Sequence, residues 1–254
     1  MLLLFVMLKL MHLKQNRLMN DITLSPIGLV NSPYKEKFAI PRQPGLVNAA
    51  KGSIQLVGDI NNIDAVRELQ QFSHIWLLFV FHGTQKQGWK PLVRPPRLGG
   101  NKKIGVLATR STFRPNPIGM SVVKLDDIEV VNQNVILHIS GLDLLDQTPI
   151  VDIKPYIPYC DAKPDADAGF AQVEPQINLT IHFSEQAKLS LQVLQNDHPE
   201  LTLFITQVLA QDPRPSYKQN TIDNKVYGMT LYNLNIQWQM LNTKNIEVIN
   251  ITAL

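Results

Sequence analysis

The sequence predicts a mainly β protein that finishes in a small α+β domain, and three observations predict it. Between Ile22 and Ile153 the apolar residues come in short β-branched or alternating runs, separated by Pro, Gly, Asn and Asp. From residue 161 to 176, DAKPDADAGFAQVEPQ, the composition turns small and polar, as in a linker. Beyond it the spacing becomes helical: Ser184 precedes a stripe of Ala187, Leu191 and Leu194, and Pro199 opens a second helix to Ala210. The expected division is an extension outside the fold at 1–18, a mainly β domain at 19–162 and an α+β domain at 163–254.

Taken in order, Ile22 to Val30 reads as a strand with a Pro-Gly irregularity, and Ser32 to Lys37 as a polar turn. Phe38 to Gly45 reads as an extended, Pro-bounded segment carrying Arg42 and Gln43. Ser53 to Val57 alternates as a strand. Asn62 to Leu69 is a short helix with Asn61 or Asn62 as N-cap. Phe72 to His82, FSHIWLLFVFH, is too short for a helix and rich in aromatic and β-branched residues. It is expected to be a strand buried on both faces that delivers His82 to a rim. Residues 83–103 hold seven Gly and Pro residues, so regular structure is not expected there. Loops of that length in compact domains usually serve function.

Ile104 to Ala108 and Ser121 to Leu125 read as strands around the loop Thr109 to Gly119. Within it Pro115 and Pro117 fix their own φ and push Arg114 and Asn116 toward extended geometry. The loop is therefore stiff, with Arg110 and Arg114 on it. Asp127 to Val131 and Val135 to Ile139 form a hairpin around Asn132-Gln133-Asn134. The turn-rich run Ser140 to Pro149 carries Asp143 and Asp146, and Ile150 to Ile153 returns to a strand. After the linker, Ile177 to Phe183 is a strand, Asp212 to Tyr217 is a stiff loop bearing Arg214, and Tyr227 to Met240 pairs with Asn245 to Thr252.

The charge is concentrated. The chain is +3 overall, yet from Leu69 to Leu125 there is no Asp or Glu and there are nine basic residues. A one-sign segment is the footprint of a polyanion partner; the bland reading is a solvated basic face. Residues 164–254 carry nine acidic and five basic residues, which argues against that half as the main polyanion surface. Cys160 is the only cysteine, which excludes a disulfide framework and a thiolate metal cluster and fits a reducing cytoplasm. No apolar run is long enough to span a bilayer. Residues 1–18 are apolar first and basic afterwards, the reverse of a signal peptide. They read as an extension rather than a weak amphipathic anchor, with Met19 a natural start.

Several signatures are missing: a G-x-G-x-x-G after a strand, a Walker A motif, H-E-x-x-H and G-x-S-x-G. His74 and His82 lie eight apart with no third ligand nearby, so no metal site is expected. His74 reads as a half-buried strand residue and His138 as structural.

Four stretches taken together resemble a known family. They are Pro41-Arg42-Gln43-Pro44-Gly45-Leu46, His82, the run ATRSTFRPNPIGMS from Ala108 to Ser121, and LDLLDQTPIVDIKPY from Leu142 to Tyr156. With Asp212-Pro213-Arg214-Pro215 in the second domain, they resemble the TrmO family, also called TsaA- or YaeB-like, from about Ile22 to about Trp238. The resemblance implies a small antiparallel β-barrel that uses S-adenosylmethionine (SAM) to methylate N6 of the threonylcarbamoyl-adenosine beside the anticodon of certain tRNAs. It further implies a homodimer with SAM near the interface. By motif match the SAM contacts are Pro41, Arg42, Gln43, His82, Gly83, Arg110, Met120 and the segment Ser140, Gly141, Leu142 and Asp143. Met120 stands where the family pattern often has leucine, a volume-conserving change.

The chemistry of these residues agrees with that assignment. Arg42 or Arg110 can pair a carboxylate bidentately, and Ser140 to Asp143 leave a strand where backbone can read an adenine edge. The target nitrogen must lose its proton, and Asp143, Asp146 or His82 could accept it; for Asp146, turn and cap chemistry is an equal reading. Arg94, Arg97, Lys102, Lys103 and Arg114 would meet anticodon stem-loop phosphates. Arg214 and Tyr217 would reach RNA or a dimer partner from the second domain. The competing readings are a barrel that binds RNA without chemistry and an enzyme acting on a nucleotide-like small molecule.

Overall fold

The computed structural model describes residues 22–173, 179–215, 218 and 222–254. The extension 1–18 and Tyr217 lie outside them. Two strands, β1 (Gly28–Asn31) and β2 (Lys51–Leu56), pair antiparallel with Val30 opposite Ile54. The connection between them, expected to be extended, is a series of turns through Phe38 to Gly45. Asn62 caps the next segment by accepting the Asp64 N–H at 2.9 Å, but only Ile63–Val66 wind, as a 3-10 turn. Glu68, at φ +68°, ends it before a full helix forms.

β3 (His74–Val80) places Ile75, Leu77 and Phe79 in the core and leaves Trp76, Leu78 and Val80 half-buried. It is thus buried on one face rather than two. The other face is partly covered by Tyr156, 5.8 Å ring to ring from Trp76, and by Asp161, which accepts from Trp76 Nε1 at 2.8 Å. His74, expected to be half-buried, is exposed.

Residues 83–103 hold only short turns and a two-residue strand, β4 (Leu92–Val93), clipped to β5 (Ile104–Gly105). The expected strand over Ile104 to Ala108 stops there, because Val106–Ala108 wind into a 3-10 turn.

The two strands expected at Ser121 to Leu125 and Asp127 to Val131 are one, β6 (Ile118–Val131), with a bulge between Leu125 and Asp127. It turns through Asn132 (φ 49°) and Gln133 (φ 67°) into β7 (Asn134–Ser140). Two successive positive φ values are the tight hairpin geometry that asparagine accommodates. β8 (Pro149–Pro155) completes a closed antiparallel barrel in the order β1-β2-β7-β6-β3-β8.

After a single-turn helix, α1 (Pro158–Asp161), the second half begins at β9 (Thr180–Phe183). Ser184 Oγ accepts the Ala187 N–H at 3.1 Å and starts α2 (Glu185–Leu194). α3 (Leu201–Ala210) begins two residues after Pro199, with Glu200 as N-cap. β10 (Tyr227–Leu231), β11 (Leu234–Met240) and β12 (Asn245–Ala253) form an antiparallel sheet to which β9 adds in parallel, in the order β10-β11-β12-β9.

The two halves share one hydrophobic core. Tyr34, fully buried, bridges to Leu231 and packs its ring against Phe204 at 5.7 Å. Tyr232 N–H donates to Pro33 O at 2.8 Å, and Ala49 N–H donates to Gln207 Oε1 at 2.9 Å. Among the described residues no helix is long and apolar enough to cross a membrane.

Candidate functional site

The exit of β3, the start of β6, the β7–β8 connection and the turn before β2 meet at one end of the barrel. Phe81 N–H donates to Pro117 O at 2.8 Å, which ties the first two. Gly45 N–H donates to Gly141 O at 2.9 Å and Gly141 N–H to Ala50 O at 3.0 Å, which tie the last two. Gly141 sits at φ +72°, a left-handed backbone conformation that calls for glycine, while a Cβ there would make only ordinary contact with Asn48 and Gly45. Arg110 crosses between these pieces, donating from Nη1 to Gln43 Oε1 at 2.6 Å.

Asp143 stands at the centre of this arrangement. Its Oδ1 accepts from the buried Ser121 hydroxyl at 2.6 Å. Burial pushes its carboxyl up to about 6, against the opposing pulls of Ser121, of its own backbone N–H and of the Arg110 charge. A carboxyl tuned toward neutrality on a rim is poised to exchange a proton. Two residues around it carry no motif of their own. Ser121 falls inside a strand pattern, and Tyr34 is the one aromatic in the polar turn Ser32 to Lys37. The Tyr34 hydroxyl is buried, feels the Asp143 charge and has no hydrogen-bond partner among the described residues. Its burial raises its pKa.

The other expected cofactor residues differ in how they present themselves. Arg42 and Gln43 are exposed and Pro41 is buried beneath them. Crowding at the Arg42 guanidinium pulls its pKa below the usual value, and Asp212 partly offsets this. His82 is half-buried and its N–H donates to Val80 O at 2.8 Å; Gly83 is exposed and its carbonyl accepts from Lys37 Nζ at 3.2 Å. Met120 is 52% exposed, near Ile118 along the same strand at 38%. Leu142 is fully buried and Ser140 Oγ donates to Asp126 Oδ1 at 3.1 Å, so these two side chains do not face the rim and only their backbone could serve a ligand.

Three of the expected contact residues are engaged by partners within the chain. Asp146 is not a free proton acceptor: Oδ1 accepts the Ser32 N–H at 2.8 Å and Oδ2 pairs Lys35 at 2.7 Å, so it staples a turn. Arg114 is half-buried and its Nη1 donates to Thr109 O at 2.6 Å and Val106 O at 3.3 Å, so it braces its own loop. Arg214 is buried, with Nε 2.8 Å and Nη2 2.9 Å from the two oxygens of Asp212, and does not offer its charge at the surface. By contrast Arg94, Arg97, Lys102 and Lys103 are exposed, and among the described residues none pairs with a carboxylate. Two clefts, of about 460 and 630 Å³, lie against the second half and contain none of the site residues.

Fold and site together define a closed β-barrel protein with a raised-pKa carboxyl on its rim and loops rich in exposed cations. The tRNA-methyltransferase O N-terminal domain matches residues 29–162, and the TrmO C-terminal domain matches residues 176–254. A tRNA (adenine(37)-N6)-methyltransferase of Escherichia coli K12 is 51% identical over 222 residues, 87% of this chain and 94% of that protein. A putative S-adenosylmethionine-dependent methyltransferase of Pseudomonas aeruginosa, RcsF, is 45% identical over 235 residues, 91% of this chain and 98% of that one. The crystal structure of TrmO from Pseudomonas aeruginosa superposes with a TM-score of 0.78 at 37% identity, covering 92% of this chain and 99% of that one. The chain belongs to the TrmO family.

Proposed function

We propose that this protein transfers a methyl group from SAM to N6 of the threonylcarbamoyl-adenosine beside the anticodon of tRNA. Its relatives are named as tRNA (adenine(37)-N6)-methyltransferases and SAM-dependent methyltransferases. The observation in this chain that carries the reading is Asp143, a carboxyl raised to about 6 on the barrel rim within the field of Arg110.

The donor set suits SAM. The exposed guanidiniums of Arg110 and Arg42 match a carboxylate. The backbone from Gly141 to Asp143 matches an adenine edge, and the open Met120 side chain makes an apolar wall. The Tyr34 hydroxyl, buried without a partner among the described residues, adds a polar group beside Asp143. SAM supplies an activated methyl on sulfur, so the chain's own work is placement and proton removal. Arg110 holds Gln43 and would orient the bound carboxylate. Asp143, its Oδ1 aligned by Ser121, would take the N6 proton; His82 on the same rim is the second acceptor. Arg94, Arg97, Lys102 and Lys103 would bind stem-loop phosphates.

The apolar side chains open at this end, Met120, Ile118 and Leu107, support a homodimer that covers the site. The proposed working units are residues 19–162 and 163–254, and the proposed compartment is the cytoplasm. The test is incubation with labelled SAM and total tRNA that either carries or lacks the threonylcarbamoyl group, followed by nucleoside mass analysis. Methylation confined to the carbamoylated tRNA is expected. SAM-independent tRNA binding with no transfer would favour an RNA-binding module instead.

A further inference from the structure

The chain has three tryptophans, and two of them are absorbed by the fold. Trp238 is buried and stacks on Tyr227 at 4.6 Å. Trp76 packs on Tyr156 and donates its indole N–H to Asp161. Trp89 is different: it is 56% exposed, in the long loop between β3 and β4. An indole left in water carries an apolar cost that a fold normally removes.

Its surroundings indicate what covers it. Lys86, Lys90, Arg94, Arg97, Lys102 and Lys103 are all exposed around it in sequence, in a stretch without any acid. A protein–protein contact centre tends to exclude lysine, whereas cations interleaved with an open aromatic are what an unpaired nucleic-acid strand requires. The segment is also braced. Lys90 N–H donates to Phe113 O at 3.1 Å, Val106 N–H donates to Pro91 O at 3.0 Å, and the Lys90 ammonium sits 4.5 Å from the Phe113 ring centroid. These contacts tie the backbone next to Trp89 to the loop that carries Arg110.

We infer that Trp89 is a stacking platform for an unpaired base of the tRNA anticodon loop, holding that loop while the neighbouring base is presented to the rim. The inference rests on the tRNA reading above and extends it to a residue and a contact. Recognition of exposed loop bases by stacking on aromatic faces needs no sequence code, only an open ring backed by positive charge.

The test uses full-length protein and an anticodon stem-loop RNA bearing the threonylcarbamoyl group. Adding RNA should quench the tryptophan emission of the wild type, and Trp89→Ala should remove most of that quench. Trp89→Ala should raise the RNA Kd roughly 5- to 100-fold, the range for losing one stacked base, with SAM affinity unchanged. Trp89→Phe should recover most of the binding. Replacing the loop bases by abasic sites should weaken the wild type and leave Trp89→Ala little further affected. If Trp89→Ala binds and methylates the RNA like the wild type, or the abasic loop quenches and binds the wild type fully, the stacking role is wrong while the enzyme assignment stands. If the wild type itself neither binds nor methylates the stem-loop, the tRNA reading fails and this one with it.

Discussion

Replacing Asp143 by Asn should stabilise the protein and disable it together. The Asp143 carboxyl is raised from 3.8 to about 6, chiefly by burial. The displacement is about two pKa units, and each unit corresponds to about 1.4 kcal/mol, so ionising Asp143 costs the folded state about 3 kcal/mol more than the unfolded chain. The folded protein therefore binds this proton more tightly. Between about pH 4 and 6 unfolding releases it, and the Asp143 contribution to stability declines as pH rises, with the full cost present above about 6. Asparagine keeps an oxygen for the Ser121 hydroxyl and has no charge to desolvate. At pH 8, Asp143→Asn should unfold at higher denaturant by up to about 3 kcal/mol, a gain that shrinks toward pH 4. Methyl transfer should fall by about 10²–10⁴, the usual span for a lost general base, with SAM affinity little changed. In the wild type kcat/KM should drop tenfold per pH unit below about 6. An Asn variant with wild-type turnover, or one that keeps the same acid limb, would refute Asp143 as the acceptor and move attention to His82.

Arg110→Ala should weaken SAM binding by about tenfold or more, as expected on losing a charge-assisted hydrogen bond; unchanged calorimetric affinity would remove it from the site. Lys102→Ala combined with Lys103→Ala should lower the slope of log affinity against log salt for tRNA by about 1.4–1.8, two phosphates' worth; an unaltered slope would place the RNA surface elsewhere. Gly119→Ala should destabilise by about 1–3 kcal/mol in thermal or denaturant unfolding. A Cβ there would overlap the Phe79 ring and lie 2.8 Å from Phe81 Cζ. A fully stable variant would mean those rings shift freely.

Much of the strand content was legible in the sequence, because alternation and turn residues are local. The Asn132-Gln133 turn and the Ser184 cap each follow from one or two residues and their immediate neighbours. Closure of the six strands into a barrel was not legible that way and came from the family motifs, since pairing β1 with β8 is a long-range fact. The site shows the same limit. Asp143 and Asp146 are three apart in one polar run, yet one is buried against Ser121 and the other is consumed by Ser32 and Lys35. Spacing cannot tell them apart, because the partners come from residues 22 and more than 100 positions away. Arg114 and Arg94 are both basic loop residues, but among the described residues only Arg114 donates to carbonyls of its own turn. Whether a guanidinium faces water or its own backbone is decided by three-dimensional closure of the loop.

The seam at Tyr34 has a consequence for how the molecule comes apart. Ring packing on Phe204, the bridge to Leu231 and the amide from Ala49 to Gln207 join barrel and C-terminal half through buried groups rather than a tether. Pulling them apart would uncover apolar surface on both sides at once, so neither piece has a cheap partial opening. Heating should produce one cooperative transition instead of two, and a barrel cut free after residue 162 should be prone to clump unless something else seals the exposed face.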